Sequence, residues 1–590
     1  MSRLAAVVLL LLVVAPVEAA WIPPIGIPDP GFGINDVIPA RTHYVDNSVT
    51  CDDTNNGGLG SPAAPRCTIP TTLAAGASVE VHGGPYIYLT SCSNAFVASG
   101  TSGARVYVWG VASGGNKPVI KGDNLSSGSC FQTKGSYYVV DGFRFSAGTR
   151  MSVLLGGDHG SFRNNECVNY QPEPDAQGRQ FGACVGDAYE TIAGHVSGQS
   201  NIVIYNNVFS DNGNYRSLPD NKVQGIKFSG GTTLAGDYDG SAGANNIWIV
   251  DNTFFHNGQA MQHGDDCIGT IVLGACQAKL SSFPHHFYIG RNVMHDDREV
   301  GLALKMIRDV VVSQNTVYNY IDLPAGANCA TSPTITALNI GRFATDNVWV
   351  LFNRVYNTSM AIRSNGQLEA QTGPDIINPK VYIIGNVITD VRTTSGATGA
   401  NCNPYSATDP YSSGVAIIGW DNYQASVVDN TIANADKGIT FQSNGAITLS
   451  GNLLSNVGDP EVFVNTNLGT TNANYSFYDG TARLAYGGGP TPIISLATMQ
   501  TNGQELNGLQ GNALLDANFK PTTGSPAINA SVQSAVYATF ATLYGLTITK
   551  DYNGLSRPQQ GVWDIGAYEA GAPRVRTTGR VTISGGVSMP

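Results

Sequence analysis

Short runs in which apolar and polar residues alternate recur along this chain, and an asparagine frame follows most of them. Alternation with period two, as at Ile202 and Ile204 or at Val310 and Val312, predicts β-strands with one buried face. The frame reads Asn, any residue, an apolar residue, any residue, then Asn or Asp. Its copies start at Asn165, Asn207, Asn292, Asn315, Asn353, Asn386, Asn430 and Asn452, and a ninth copy, Asn252 to His256, ends in His.

The spacing of these frames predicts the architecture. The closest copies start 22 or 23 residues apart, at 430 and 452 and at 292 and 315. Short strands at a fixed period with Asn corners are typical of a parallel β-solenoid, in which each coil buries its inner face against its neighbours. Asn tolerates the left-handed turn conformation, and stacked amides form ladders. We therefore predict that the frame asparagines line one corner, with a rise of roughly 4.8 Å per coil.

Motifs near both ends resemble those of right-handed parallel β-helix proteins of the pectate-lyase-like superfamily. The first coil is represented by Asp52 to Gly57 and Gly83 to Tyr86, followed by Val139 to Phe145. The closing cap of exported bacterial members is represented by Ser525 to Asn529, Asp551 to Gly554, Arg557-Pro558 and Asp564-Ile-Gly-Ala-Tyr-Glu569. The resemblance covers about residues 42 to 570. It implies an all-β, single-domain right-handed parallel β-helix but names no activity, because one fold hosts many functions.

The first 19 residues have the pattern of a secretory signal. Arg3 precedes an apolar run from Leu4 to Val14, and cleavage is expected after Ala19. That run is too short to span a membrane, so we expect a soluble, secreted or periplasmic protein without membrane insertion. Residues 571 to 590 lack periodicity and are expected to form a loose tail.

The ten cysteines fit an oxidising compartment. Pairing between neighbours closes the shortest loops and predicts the bonds 51–67, 92–130, 167–184, 267–276 and 329–402.

Charged residues make up only 13% of the chain, and the net charge is −11. This balance argues against nucleic acid and anionic membranes as partners. We expect a monomer.

A second strand pattern, small-apolar-any-apolar, recurs between the corners. It occurs at Gly225 to Phe228, Gly301 to Leu304, Ala337 to Ile340, Ala361 to Ser364, Gly414 to Ile417 and Gly438 to Phe441. Long insertions cluster beside this strand from residue 212 to residue 413. Long loops gathered on one side of a solenoid usually wall a binding groove.

The outward positions of this second strand carry basic and amide side chains. Lys227, Asn339 and Arg363 occupy the same position on different coils, and Lys305 and Arg342 stand near the ends of their strands. In a chain with so few charges, such a row suggests an anionic polymer as ligand, here an acidic polysaccharide. A solvated strand face is the alternative.

The fourth frame position also points outward and is aromatic on four successive coils, at Phe255, His295, Tyr318 and Tyr356. These rings could stack on sugars. They could equally serve only to pack loops against the solenoid.

Gly264-Asp265-Asp266-Cys267 resembles a motif of polygalacturonases, hydrolases of the same fold whose paired carboxylates supply acid and base. The Gly-His-Gly motif of that family is missing downstream. Asp265 and Asp266 could instead bind Ca²⁺ or form a polar turn.

Lyases of this fold cleave uronate polymers by β-elimination, and Gly225 to Gly231 resembles the strand that carries the lysine base in one pectate-lyase family. The elimination needs a base near the C5 proton of the sugar and a cation to neutralise its carboxylate. We predict Lys305 or Lys227 as the base, with His295 and Arg308 as further catalytic candidates. Arg298, Asn339, Arg342 and Arg363, with the aromatic row, are the predicted substrate-binding residues, whereas Asp297 and Glu299 are expected at a solvated corner. Hydrolysis and non-catalytic glycan binding remain the alternative functions.

Overall fold

A complete coil contains three β-strands, which we call a, b and c in chain order; the first coil has no strand b. The computed structural model describes residues 20–88, 94–122, 129–146, 151–171, 180–186, 199–213, 221–228, 243–264, 283–321, 335–342, 345–365, 380–392, 414–420, 424–442, 445–465, 471–486, 493–559 and 561–570. Strand a precedes the Asn corner, strand b follows it, and strand c completes the coil. Every strand pairs in parallel with the corresponding strand of the next coil, so the chain forms the predicted right-handed parallel β-helix.

The strands fall into three columns along the axis. The a strands are His43–Asp46, Ser78–His82, Val106–Gly110, the second half of Ser129–Asp141, Asp158–Arg163, Ser200–Tyr205, Asn245–Val250, His285–Gly290, Arg308–Ser313, Asp346–Leu351, Lys380–Ile384, Gln424–Val428, Ile447–Ser450 and Thr471–Asn474. The b strands are Tyr86–Tyr88, Val119–Gly122, Arg144–Ser146, Glu166–Val168, Val208–Ser210, Thr253–Phe255, Val293–His295, Thr316–Tyr320, Arg354–Thr358, Val387–Val391, Thr431–Ala435, Leu453–Val457, Phe477–Asp479 and Leu509–Gly511. The c strands are Thr72–Ala74, Asn94–Ser99, the first half of Ser129–Asp141, Met151–Leu155, Gln180–Gly186, Asn221–Phe228, Gln259–His263, Val300–Lys305, Thr336–Arg342, Met360–Asn365, Val415–Trp420, Lys437–Gln442, Val462–Asn465 and Leu484–Tyr486. We call the outward surfaces of these columns face a, face b and face c.

The first asparagine of every frame lies in one buried ladder at the corner between strands a and b. The Oδ1 atom of Asn315 accepts hydrogen bonds from the backbone N–H of Asn292 at 2.9 Å and from its side chain at 3.0 Å. The amide of Asn315 in turn donates to Ile289 O and to Asn353 Oδ1, both at 2.9 Å. The same contact from a backbone N–H to the next Oδ1 links all nine frames from Asn165 to Asn452. The prediction that the frame asparagines line one corner is confirmed.

The left-handed conformation belongs to the last residue of the frame and not to the first. Asp211, Asp296, Asn319 and Asp390, for example, have φ between 55° and 62°. The frame therefore combines two functions, since its first residue bonds along the axis and its last residue turns the chain into the loop before strand c.

Inward side chains of all three columns fill one continuous apolar core, which includes a Phe209–Phe254 stack with ring centroids 4.8 Å apart. Disulfides join Cys51 to Cys67 and Cys167 to Cys184, as predicted. Each of the other three proposed pairs includes a cysteine outside the described residues. The predicted signal segment and the predicted C-terminal tail also lie outside them.

Segments from both ends of the chain cover face a. The N-terminal segment from residue 20 to residue 36 lies along it, where Ser313 Oγ donates to Ile25 O at 2.6 Å and Trp248 Nε1 donates to Pro28 O at 2.9 Å. The C-terminal segment adds helix α1, Leu496–Thr501, and helix α2, Val536–Tyr544, and α2 packs against Trp349 on face a. The two segments meet at Gly26, where a Cβ would lie 3.0 Å from the Phe540 ring.

The end of the C-terminal segment also covers the last coils of face b. Ala567 and Tyr568 pack against Val387, and the N–H of Ala567 donates to Thr431 Oγ1 at 2.9 Å. Face a and the last coils of face b are thereby occupied by the protein itself. Among the described residues, no helix is long and apolar enough to cross a membrane.

Candidate functional site

Face c brings three of the predicted polar positions, Lys227, Asn339 and Arg363, into one row. Lys227 pairs with Gln262, Gln262 with Ala303, Ala303 with Asn339, and Asn339 with Arg363, each on the next coil. Their strand neighbours, such as Leu302 and Leu304, lie in the core, so the row faces outward.

The row is not a solvated strand face. Lys227 and Gln262 are each 5% exposed, and Asn339 is 9% exposed. Buried polar side chains on the outer surface of a solenoid need hydrogen-bond partners, since burial without them is costly.

Gln262 was missed by the sequence pattern. Its strand, Gln259–His263, ends in His where the two neighbouring c strands have Phe228 and Leu304. His263 nevertheless fills that apolar position, because its ring lies in the core 5.0 Å from the Phe287 ring and burial lowers its pKa to about 3. Treating His263 as an apolar residue would have aligned its strand with the neighbouring c strands, and this alignment places Gln259 and Gln262 on face c.

Lys305 lies at the end of its strand, between two neighbouring coils that carry other candidates. On one side it pairs in register with Arg342. On the other side is Gly264, at which a Cβ would lie 1.5 Å from the carbonyl oxygen of Lys305. Gly264 immediately precedes Asp265 and Asp266, which lie outside the described residues. The backbone thus places Gly264, Lys305 and Arg342 on three successive coils.

A second polar row on face c consists of two amides and a carboxylate. Gln224 Nε2 donates to Gln259 Oε1 at 3.2 Å, and Gln259 Nε2 donates to Glu299 Oε2 at 2.9 Å. Glu299 is 3% exposed, as is Arg298 beside it. The amide dipoles therefore all point toward the buried carboxylate at the coil that carries Lys305.

The expectation that Asp297 and Glu299 occupy a solvated corner is wrong, because both side chains are buried. Asp297 ends a second buried ladder, which runs from Asn212 through Asn257 at the corner between strands b and c. Its Oδ1 accepts from the Asn257 amide at 2.8 Å, and its Oδ2 accepts from the Tyr320 hydroxyl at 2.6 Å. Burial is the main cause that raises the pKa of Asp297 to about 7. Asp297 is a structural residue of the solenoid.

Asp297→Asn is expected to stabilise the protein above pH 7. Because the folded pKa of about 7 exceeds the unfolded value of roughly 4, this carboxyl group favours folding at acidic pH, and its contribution is lost as pH rises between these values. An asparagine keeps the acceptor for Asn257 and carries no charge. Thermal unfolding should show a higher midpoint for the variant at pH 8 and nearly equal midpoints at pH 4; a variant less stable at pH 8 would contradict this assignment.

The four predicted aromatic residues form one stack on face b, away from face c. Ring centroids are 5.4 Å apart for Phe255 and His295, 4.8 Å for His295 and Tyr318, and 4.8 Å for Tyr318 and Tyr356, with planes within 9°. The rings therefore contact one another through their faces and turn their edges outward. This geometry favours a packing role over stacking on sugar rings, which needs a free ring face.

Two further catalytic candidates also lie apart from face c. The His295 ring lies in the aromatic stack, with Nδ1 2.6 Å from Asp296 Oδ2. Arg308 begins a strand of column a and pairs with Asp309 at 3.3 Å. The structure thus gathers Lys227, Asn339 and Arg363 into one row, with Lys305 and Arg342 on the same column, but not His295, Arg308 or the aromatic residues.

No protein-family model and no curated protein matches this sequence. Among solved structures, a PL6 alginate lyase in complex with a trisaccharide is 12% identical, with 85% of this chain and 95% of that chain covered and a TM-score of 0.39. XylC in complex with xylose is 9% identical, covering 89% and 98%, with a TM-score of 0.41. PfbA, a surface adhesin of Streptococcus pneumoniae, is 11% identical, covering 71% and 87%, with a TM-score of 0.37. Similarity at this level carries no information on activity.

Proposed function

We propose that this protein is a polysaccharide lyase that cleaves an acidic, uronate-containing polysaccharide by β-elimination on face c. The observation that carries the proposal is the in-register row of Lys227, Gln262, Asn339 and Arg363, with Lys305 and Arg342 on the same column. Charged residues make up only 13% of the chain, and on face c basic and amide side chains recur on several coils. Face c is also the column beside which the sequence carries its long insertions.

The chemistry requires two kinds of group. A base removes the C5 proton of a uronate, the electrons form a C4–C5 double bond, and the glycosidic oxygen at C4 leaves and takes up a proton. A cation beside the carboxylate stabilises the charge that develops when the proton is removed. We assign the base to Lys305, with Lys227 as the alternative, and the carboxylate contact to Arg342 or Arg363. Ca²⁺ bound by Asp265 and Asp266 would add positive charge next to the same sugar carboxylate.

We further propose that the protein acts outside the cytoplasm. The two disulfides of the described residues are stable in oxidising compartments. The apolar segment before Ala19 is consistent with export.

A panel assay tests the proposed reaction. Purified protein is incubated with several uronate polymers and a neutral polysaccharide, with Ca²⁺ or with a chelator. We expect ultraviolet absorbance from the unsaturated product with at least one uronate polymer and none with the neutral one. New reducing ends without this absorbance would identify a hydrolase instead, and tight binding without either product would identify a non-catalytic glycan-binding protein.

A further inference from the structure

A cleft of about 540 Å³ lies on face a, where the N-terminal segment passes from this face to the first strand. One wall is formed by residues 38–41, and the other is formed by the outward side chains of Glu80 and Trp109. These two residues pair in register on adjacent coils, and their strand neighbours Val79 and Val108 are fully buried in the core. The volume is within the roughly 300–1,000 Å³ of small-ligand sites, so the cleft can hold a small molecule or one end of a polymer.

Trp109 provides a flat apolar surface in this cleft. The residue is half-buried, and its indole Nε1 donates to Ser78 Oγ at 3.2 Å. Ser78 Oγ in turn donates to Pro39 O at 3.2 Å, which connects the two walls. Unlike the stacked rings on face b, the Trp109 ring contacts no other aromatic ring among the described residues. A fixed indole ring of this kind is suited to stacking on the apolar face of a sugar ring.

The polar part of the cleft is an ion pair that retains unused hydrogen-bonding atoms. Arg41 Nη1 donates to the two carboxylate oxygens of Glu80 at 3.2 and 3.0 Å, and His82 Nε2 lies 2.8 Å from Glu80 Oε1. Within the described part of the chain, Glu80 Oε2 has no further donor, and Arg41 uses neither Nε nor Nη2. The Arg41 side chain is 44% exposed. One acceptor and several donors therefore remain for a ligand beside the indole ring.

The combination of these groups indicates the class of ligand. Neighbouring hydroxyl groups of a sugar donate to a carboxylate and accept from a guanidinium, while the C–H face of the ring packs on an indole. A uronate carries a carboxylate, which the charge of Glu80 repels and which supplies no donor. A cationic ligand is attracted by Glu80 and by the indole face but is repelled by Arg41. A neutral sugar therefore complements all three side chains.

We propose that Arg41, Glu80 and Trp109 form a binding site for a neutral sugar unit, which attaches the protein to a neutral glycan. The site lies on a different column of the solenoid from the proposed uronate site on face c. It requires no catalytic group, so the inference does not depend on the proposed lyase activity.

Isothermal titration calorimetry with neutral tetrasaccharides tests the site. The probes are cellotetraose, mannotetraose and xylotetraose, with tetragalacturonate as the acidic comparison and choline as the cationic one. We expect at least one neutral tetrasaccharide to bind wild type with a Kd between the micromolar and millimolar ranges. Any binding of tetragalacturonate should not depend on the residues of this cleft.

Two variants remove parts of the site, and two matched variants leave it intact. Trp109→Ala removes the stacking surface and Arg41→Met removes the hydroxyl donors, so each should weaken binding of the neutral tetrasaccharide by about tenfold or more. Trp21→Ala removes a half-buried tryptophan elsewhere on face a, and Arg392→Met removes an exposed arginine that pairs with a carboxylate at 3.0 Å. Both controls should bind like wild type. Thermal unfolding checks that each variant is folded, and if Trp109→Ala failed to fold, Arg41→Met at its exposed position would decide the matter.

Several results would overturn the proposal. They are a lack of binding of every neutral tetrasaccharide by wild type, and wild-type affinity in both Trp109→Ala and Arg41→Met. Binding of choline without binding of any neutral tetrasaccharide would identify a cation site instead. An equal loss of tetragalacturonate binding in both variants would show that the cleft does not select neutral sugars. A lack of unsaturated product in the panel assay would overturn the lyase and leave this site standing.

Discussion

Replacing Lys305 by alanine is expected to lower kcat on the cognate uronate polymer by about 10²–10⁴-fold, the usual contribution of a general base. The ammonium group of a solvent-exposed lysine has a pKa of about 10.4, so lysine acts as a base at neutral pH only where neighbouring cations or burial lower that value. We assign that role to Arg342, whose backbone pairs with that of Lys305 on the adjacent coil. Initial rates of unsaturated product formation, with circular dichroism as the check on folding, measure the effect.

The matched variants separate a base from a general loss of positive charge. Lys305→Arg keeps the charge but cannot release a proton near neutral pH, so it should be nearly as impaired as Lys305→Ala. Lys380→Ala removes an exposed lysine from column a and should leave turnover unchanged. Lys227→Ala tests the alternative base. Wild-type turnover in both Lys305→Ala and Lys227→Ala would rule out a lysine base and return the function to hydrolysis or binding.

Breaking the asparagine ladder in its middle is expected to have the largest effect on stability. In Asn315→Ala, the backbone N–H and the side-chain amide of Asn292 lose the acceptor Asn315 Oδ1, and the carbonyl of Ile289 loses the donor Asn315 Nδ2. Asn353 Oδ1 loses one of its two donors and keeps the backbone N–H of residue 315. With about 1–3 kcal/mol for each unsatisfied buried group, the total is several kcal/mol, a large part of the stability of a typical domain. We expect a marked fall in the apparent midpoint of thermal or urea unfolding.

The same frame supplies the control. Asn319→Gly changes the last frame residue, whose φ of 62° suits glycine, and removes only one partly buried hydrogen-bonding side chain. Its unfolding midpoint should stay close to that of the wild type. Equal losses for Asn315→Ala and Asn319→Gly would contradict the division of roles between the two ends of the frame.

The architecture was largely predictable from the sequence because a solenoid repeats local contacts. Each coil packs only against its neighbours, so the Asn frame and the period-two runs recur at each coil and can be recognised one at a time. The ladder from Asn165 to Asn452 follows from that repetition. The two disulfides of the described residues join neighbouring cysteines, whose loops are the least costly to close. The roles within the frame were not predictable, since Asn tolerates both a ladder position and a left-handed turn.

The membership of the candidate site depended on the tertiary structure. The sequence identified Lys227, Asn339 and Arg363 from their shared place in a strand pattern, but it also grouped His295 and Arg308 with them. Only the three-dimensional arrangement of the columns shows that His295 lies on face b and that Arg308 begins a strand of column a. Sequence distance cannot reveal this, because a few residues at a corner carry the chain from one face to the next.

By itself, the sequence determined the parallel β-helix, the corner asparagines and the strand on which polar residues recur, because each depends on a periodic pattern within one coil. Only the tertiary structure decided which side chains are buried, that the aromatic rings contact one another through their faces, and that Gln262 joins Lys227, Asn339 and Arg363 in one row. Those properties depend on the register between coils and on the segments that cover each face, and insertions of unequal length hide both from the linear sequence.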